Sequence, residues 1–216
     1  MNLLLNAAKD RPLTVLCLGC HSDDIEIGCG GTILKLRQEY PECKLHWVVF
    51  SAIGVRNAEA RRAAELFAGP SGPEQLVLKE FPDGFMPWAG ADVKKVFEEL
   101  KQTISPDLIL THNCQDAHQD HRLISELTWN TFRNHFILEY EIPKYDGDLG
   151  RPSVFVPLDE NQSHTKVASL LEAFQSQRSK RWFEESTFLA LMRLRGMECN
   201  AESGYAEAFY CRKAVL

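Results

Sequence analysis

Short apolar, β-branched runs alternate along most of the chain with longer stretches in which charged and small residues recur at helical spacing. The run at 13–19 is too continuously apolar for a strand with one face in water, and it predicts a buried parallel strand. Similar runs predict further strands at 44–51, 75–81, 106–111, 137–142, 153–158 and 206–215. This alternation predicts an α/β fold with a mostly parallel central sheet.

The intervening stretches predict helices. The first begins at about residue 31 and is stopped by Pro41, and the others are predicted at 56–68, 92–104, 123–132, 160–177 and 182–197. The glycines at 28–31 are predicted to form a loop that lets the backbone turn between the first strand and this helix. The length of 216 residues, without a repeat or a linker, predicts one domain over residues 1–216.

The net charge of the chain limits the classes of partner molecule that we expect. The formal net charge of -6 gives no electrostatic reason to expect nucleic acid or an anionic membrane surface, so we expect a small-molecule partner. No run approaches the ~18 apolar residues of a membrane span, and the N-terminal MNLLLNAAKDRP lacks the basic lead of a signal peptide. We therefore expect a cytoplasmic protein that does not insert into a membrane.

Seven cysteines include a CxxC pair formed by Cys17 and Cys20. Such a pair can be redox-active or supply half of a zinc site. Residues three apart in a strand point to opposite faces, however, and no second CxxC completes a thiolate site. The odd number of cysteines also fits reduced thiols, so we expect no disulfide.

Two polar clusters directly follow apolar strands. GCHSDD follows the first strand, and THNCQDAHQDH follows the strand at 106–111. Ligands of parallel sheets bind where the carboxyl ends of the strands share one edge, so we expect the two clusters to converge there. They contribute the candidate residues His21, Asp23, Asp24, His118, Asp120 and His121.

The residue types indicate metal chemistry rather than nucleotide binding. Ile33 stands where a G-x-G-x-x-G motif starting at Gly28 needs its third glycine, and no GKS or GKT follows. Two imidazoles and one carboxylate form the ligand set of a hydrolytic zinc site, and a further aspartate and histidine can move protons. Taken singly, an Asp-Asp pair before a helix is most often a cap. His112 and Asp116 serve equally well to shape their loop.

The clusters resemble the two motifs of a known family. HSDDIEIGCGGT resembles the HPDDExxGxGGT signature of the LmbE-like, or PIG-L, zinc-dependent de-N-acetylases, and HQDHR resembles their HxDH motif. Weaker similarities are Arg56 with Glu59, FPDGF, SPDLILTH and GYAEAF. Ser22 replaces the usual proline, and Ile25 replaces the usual glutamate, with the nearest acid at Glu26.

The resemblance implies a Rossmann-like three-layer sandwich with its active site at the carboxyl ends of the strands. It implies that zinc, or another divalent metal such as Fe²⁺, is bound by His21, Asp24 and His121. Asp23 would be the general base, and Arg56 would lie near the substrate. His118, in its protonated form, would face and stabilise the developing oxyanion, with Asp120 holding it.

The implied reaction is hydrolysis of the N-acetyl amide of an amino sugar of the N-acetylglucosamine type, free or conjugated. Two alternatives remain open at this point. One is an amidase or esterase of a larger sugar conjugate, and the other is a sugar-binding relative without turnover. A homo-oligomer is also left open.

Overall fold

The computed structural model describes residues 11–214, and its strands form a single sheet. The strands are β1 (Thr14–His21), β2 (Lys44–Ser51), β3 (Gln75–Leu78), β4 (Leu108–His112), β5 (Phe136–Tyr140), β6 (Val154–Leu158) and β7 (Tyr205–Tyr210). Their order across the sheet is β3-β2-β1-β4-β5-β7-β6. β1 to β5 are parallel, and β7 runs antiparallel to both β5 and β6. The predicted mostly parallel sheet is confirmed.

Helices cover both faces of this sheet. They are α1 (Asp24–Glu39), α2 (Val55–Ala68), α3 (Gly90–Thr103), α4 (Gln119–Thr131), α5 (Glu160–Ala173) and α6 (Glu185–Glu198). Side chains of α1, α2, α5 and α6 share one apolar core with the sheet, and those of α3 and α4 share the other. Cys17 belongs to the first core and Cys20 to the second, as expected for residues three apart in a strand. The three-layer sandwich is confirmed.

The first helix begins earlier than the sequence predicts. α1 starts at Asp24, so the glycines at 28–31 lie inside the helix and not in a loop. The physical reason is close packing: a Cβ on Gly28 would lie 2.2 Å from the ring of Tyr140, and one on Gly30 would lie 2.5 Å from the ring of Phe67. The low helix propensity of glycine is outweighed by this tertiary contact.

A buried ion pair supports an interruption in α1 at Cys29, whose φ of -145° and ψ of 16° are not helical. The carboxylate of Glu207 accepts hydrogen bonds from the N–H groups of residues 31 and 32 at 2.8 and 2.6 Å. Lys166 donates to the carbonyl of Ile27 and to Glu207, both at 2.6 Å. The pair therefore satisfies backbone groups that the interruption frees.

Smaller differences concern element ends. α5 stops at Ala173 and a short 3-10 helix follows at Gln175–Gln177, where one longer helix was predicted. The last strand ends at Tyr210, and residue 215 of its predicted range lies outside the described residues. The N-terminal stretch at 1–10 also lies outside them. None of the helices between residues 11 and 214 has the length and apolar character required to cross a membrane.

Candidate metal centre

The two polar clusters meet at the carboxyl ends of β1 and β4, which are neighbours in the sheet. The strand order reverses direction between these two strands, and such a switch point is where open parallel sheets bind ligands. His21 is the last residue of β1, Asp24 is the first residue of α1, and His121 lies in the first turn of α4. The predicted convergence is therefore observed.

Three donor atoms of these residues lie close together. His21 Nδ1 is 3.1 Å from His121 Nε2 and 3.4 Å from Asp24 Oδ2, and His121 Nε2 is 3.5 Å from Asp24 Oδ2. A tetrahedral zinc ion with bonds of about 2.0–2.1 Å separates its ligand atoms by about 3.3 Å. The spacing of the three donors therefore fits such an ion.

Two of the three side chains in this triad have the charge state that binds a cation. His121, His112 and His21 hold the pKa of Asp24 well below its usual value although burial opposes them, so Asp24 is ionised. Burial, together with His112, lowers the pKa of His121 and keeps this ring neutral. Ionised carboxylates and neutral imidazoles are the forms that bind metal ions. Although burial opposes the change, the neighbouring carboxylates and a thiol raise the pKa of His21 well above its usual value, so this ring has to release a proton when it binds a metal ion.

The outward nitrogen of each histidine has a carboxylate partner. His121 Nδ1 lies 3.0 Å from Asp116 Oδ2, and His21 Nε2 lies 2.9 Å from Asp83 Oδ1. The hydrogen bond from His21 lowers the pKa of Asp83 to about 2. Lys144 in turn lies 3.0 Å from Asp116. Such carboxylates fix the orientation of metal-binding histidines.

Sequence reasoning missed part of this outer layer. The sequence predicts only a loop-shaping role for Asp116 and no role for Asp83 or Lys144. FPDGF, which contains Asp83, contained a usable signal because it follows β3 at the same edge of the sheet. Lys144 lies in the unremarkable sequence PKYDG and offered none.

Asp23 is buried beside the triad and pairs with Arg56. Arg56 Nη2 donates to Asp23 Oδ1 at 2.5 Å, and Arg56 Nε lies 3.6 Å from Glu59. Burial raises the pKa of Asp23, with Asp24 adding to the rise and Arg56 opposing it. Arg56, predicted to lie near the substrate, thus contacts the predicted base.

His118 lies over the triad, stacked on His121 with ring centroids 4.6 Å apart. The backbone N–H of Asp120 donates to His118 Nδ1 at 3.2 Å, which leaves Nε2 as the N–H of the neutral ring. Burial lowers the pKa of His118, and the neighbouring histidines add to the effect. The neutral ring is therefore favoured, in contrast to the protonated ring expected from the sequence.

The carboxylate of Asp120 does not hold the ring of His118 as the resemblance implies. It accepts hydrogen bonds from the N–H groups of Gly84 and Met86 at 2.6 and 3.2 Å, and it lies 3.6 Å from His21 Nε2. Only the backbone of Asp120 contacts the ring. The carboxylate instead fixes the loop after β3 to the metal centre.

Three further residues lie beneath the triad. His112 is fully buried, accepts a hydrogen bond from the N–H of Cys20 at 2.9 Å and lies 3.1 Å from Asp24 Oδ2. The thiol of Cys20 contacts the sulfur of Met86, and burial raises the pKa of the Cys20 thiol to about 12. Glu26 is buried as well, and burial raises its pKa well above the usual range.

Fold and site together define a three-layer α/β protein with a candidate metal centre at a switch point of its sheet, and comparison with known proteins identifies the family. The family model of PIG-L, described as GlcNAc-PI de-N-acetylase, matches residues 16–132. This match contains both polar clusters and more than half of the chain. The chain therefore belongs to the PIG-L family, and it is a hydrolase of the deacetylase type.

Individual relatives agree with this assignment. An uncharacterized deacetylase of Escherichia coli, YaiS, is 28% identical over 178 residues, which cover 77% of this chain and 93% of that protein. The N,N'-diacetylchitobiose deacetylase of Pyrococcus horikoshii is 19% identical, with 96% of this chain and 86% of that chain covered and a TM-score of 0.72.

A third similar protein shows that the fold alone does not determine the reaction. The 4-carboxy-2-hydroxymuconate hydratase of Pseudomonas putida is 16% identical, covers 94% of this chain and 98% of its own, and has a TM-score of 0.75. That protein is a hydratase and not a deacetylase. Beyond the family assignment, the metal and the substrate of this chain therefore have to be argued from its site.

Proposed function

We propose that this chain is a zinc-dependent hydrolase that removes the acetyl group from the N-acetyl amide of an amino sugar of the N-acetylglucosamine type. The observation that carries the proposal is the triad of His21, Asp24 and His121, whose donor atoms lie 3.1–3.5 Å apart beside the buried carboxylate of Asp23. The triad leaves coordination positions for water and substrate. Fe²⁺ is the alternative metal for the same ligands.

The roles of the side chains follow from their contacts. Zinc held by His21, Asp24 and His121 would polarise the amide carbonyl and lower the pKa of a water molecule. Asp23 accepts the proton of the attacking water, since its raised pKa makes it a stronger base than an ordinary aspartate. Arg56 orients this carboxylate through its 2.5 Å hydrogen bond.

His118 stabilises the oxyanion as a neutral donor. Its Nδ1 accepts from the backbone of Asp120, so its Nε2–H is free to donate to the developing charge. Asp120 acts indirectly, because its carboxylate holds the loop that contains Asp83, the partner of His21. Asp83 and Asp116 hold the two metal-binding histidines in place.

A metal-depletion assay tests the proposal. The purified protein is analysed for metal, incubated with a chelator and then supplied with Zn²⁺ or Fe²⁺, and acetate release from N-acetylglucosamine glycosides is measured at each stage. We expect about one divalent ion per chain, loss of activity with the chelator and recovery with metal. Full activity after complete removal of the metal would contradict the proposal.

A cytoplasmic location, an oligomeric state and the extent of the single domain over residues 1–216 stay predictions from the sequence. The proposed substrate is a small molecule, whichever of the two metals is bound.

A further inference from the structure

Most of the large exposed apolar side chains follow strands that end at the same edge of the sheet as the candidate metal centre. Among residues 11–214, eight large apolar side chains are exposed, and two of them, Leu194 and Met197, lie on α6. The other six follow β2, β3 and β5, and we call them the apolar collar: Ile53, Val55, Phe85, Trp88, Tyr145 and Leu149. Because these three strands are parallel to β1 and β4, their loops leave the sheet at the edge that carries the metal centre.

At the start of α2 and in the loop after β5, the neighbour of a collar residue contacts the site. Val55 precedes Arg56, which donates to the predicted base Asp23. Tyr145 follows Lys144, which contacts Asp116. Both segments therefore turn a polar side chain toward the metal centre and an apolar one toward water.

The loop after β3 follows the same arrangement. Phe85 lies between Gly84 and Met86, whose N–H groups both donate to Asp120. The ring of Phe85 lies 5.8 Å from that of Trp88, and these residues are 63% and 77% exposed. Solvent-exposed apolar side chains that contact one another beside a polar site are typical of a ligand-binding surface.

The charges of the collar favour a neutral apolar ligand. The stretches 53–55, 82–88 and 145–149 contain the exposed acids Asp83 and Asp146 but no lysine or arginine. Of the basic residues that flank them, Arg56 and Lys144 are paired with buried or half-buried aspartates, and Arg151 is exposed. An anionic membrane attracts basic segments, so it is not the partner that this surface fits. Aliphatic side chains stand among the aromatic ones, which fits an alkyl or aryl group better than a second sugar ring.

We infer that the apolar collar binds an apolar aglycone of the amino-sugar substrate. The inference rests on the proposed function, because it assumes that the amide of the sugar lies at the metal centre. β1 and β4 are flanked in the sheet by β2 and β3 on one side and by β5 on the other. A group attached to a sugar at the centre therefore leaves the site past collar residues.

The test compares octyl and methyl glycosides of N-acetylglucosamine below the micelle concentration of the octyl compound. We measure kcat/KM for acetate release and, independently, affinity by calorimetry. Burial of the alkyl chain against the collar should favour the octyl glycoside by about tenfold or more in both measurements. Phe85→Ser and Trp88→Ser should each remove most of this preference. Leu194→Ser and Met197→Ser, the exposed apolar residues of α6, are the matched controls and should leave it unchanged.

The outcomes separate the collar from the reaction. Acetate release without any preference for the octyl glycoside overturns the collar inference and leaves the proposed function standing. Preferential binding of the octyl glycoside, lost in the collar variants, supports the collar even if no acetate is released, a result that would overturn the proposed function.

Three further results would also overturn the inference. A stronger preference for a disaccharide of N-acetylglucosamine would assign the collar to a second sugar. A dimer that Trp88→Ser converts into monomers would assign it to a second copy of the chain. Sedimentation with phosphatidylcholine vesicles that depends on Phe85 and Trp88 would assign it to a membrane surface.

Discussion

The two halves of the candidate metal centre are held by different means. After β1, only Ser22 and Asp23 precede α1, and the N–H of His21 donates directly to Asp24 Oδ2 at 2.6 Å. After β4, the loop at 113–118 precedes α4, and side chains determine its shape. Asp116 accepts from the N–H of His118 at 2.8 Å and also contacts Lys144.

This difference shows how far each half depends on distant residues. The end of a strand and the start of a helix place His21 and Asp24, and of the distant residues Asp83 orients only the outward nitrogen of His21. His121 depends on Asp116, and Asp116 depends on Lys144 from the loop after β5. We therefore expect the first half to be sensitive to the packing of α1, and the second to be sensitive to single polar substitutions.

The largest expected effect is the loss of a ligand from either half. His21→Ala, Asp24→Ala and His121→Ala should each lose the bound metal and reduce acetate release to background, because three ligands are the minimum of such a site. His46→Ala, which changes a histidine of β2 paired with Gln75, is the control and should keep both. Elemental analysis of the purified variants tests this prediction. If any of the three ligand variants still binds one metal ion per chain, the substituted residue is not a metal ligand.

A smaller effect is expected when the carboxylate that orients His121, in the second half of the site, is substituted. Asp116→Asn removes the charged partner of His121 and should weaken metal affinity by about 10- to 100-fold, measured by competition with a chelator. Asp148→Asn is the matched control, since Asp148 also contacts Lys144 at 2.5 Å. Equal losses in the two variants would mean that the loop, and not the orientation of His121, sets the affinity.

The smallest effect concerns the support of the first half. Gly28→Ala introduces a Cβ 2.2 Å from the ring of Tyr140, so it should reduce the free energy of unfolding by about 1–3 kcal/mol in a denaturant titration. Gly90→Ala is the control, because no heavy atom lies within 4 Å of its added Cβ. The control should be neutral or stabilise by up to about 1 kcal/mol. Equal stabilities would show that α1 adjusts freely at Gly28.

The sequence predicts the sheet better than the start of α1. The apolar run at 44–51 coincides with β2, because buried strands have a strong compositional signal. The glycines of α1 were misassigned because the contacts of Gly28 with Tyr140 and Gly30 with Phe67 join residues far apart in sequence. Local propensity contains no information on such contacts.

The same limit applies to the site. His21, Asp24 and His121 are recognisable because residue type and spacing carry their chemistry. The link from Lys144 through Asp116 to His121 exists only after β4 and β5 pair. The collar is also invisible in the sequence, since an exposed Trp88 and a buried Trp47 look alike until the fold is known.

The most direct test of the account compares two neighbouring aspartates. Asp23→Asn should retain the full metal content while kcat for acetate release falls by about 10²- to 10⁴-fold, because a general base is lost. Asp24→Asn should lose the metal, because its carboxylate lies among the donor atoms of His21 and His121. A metal-free Asp23→Asn protein together with a metal-loaded Asp24→Asn protein would contradict the account and reverse the two roles.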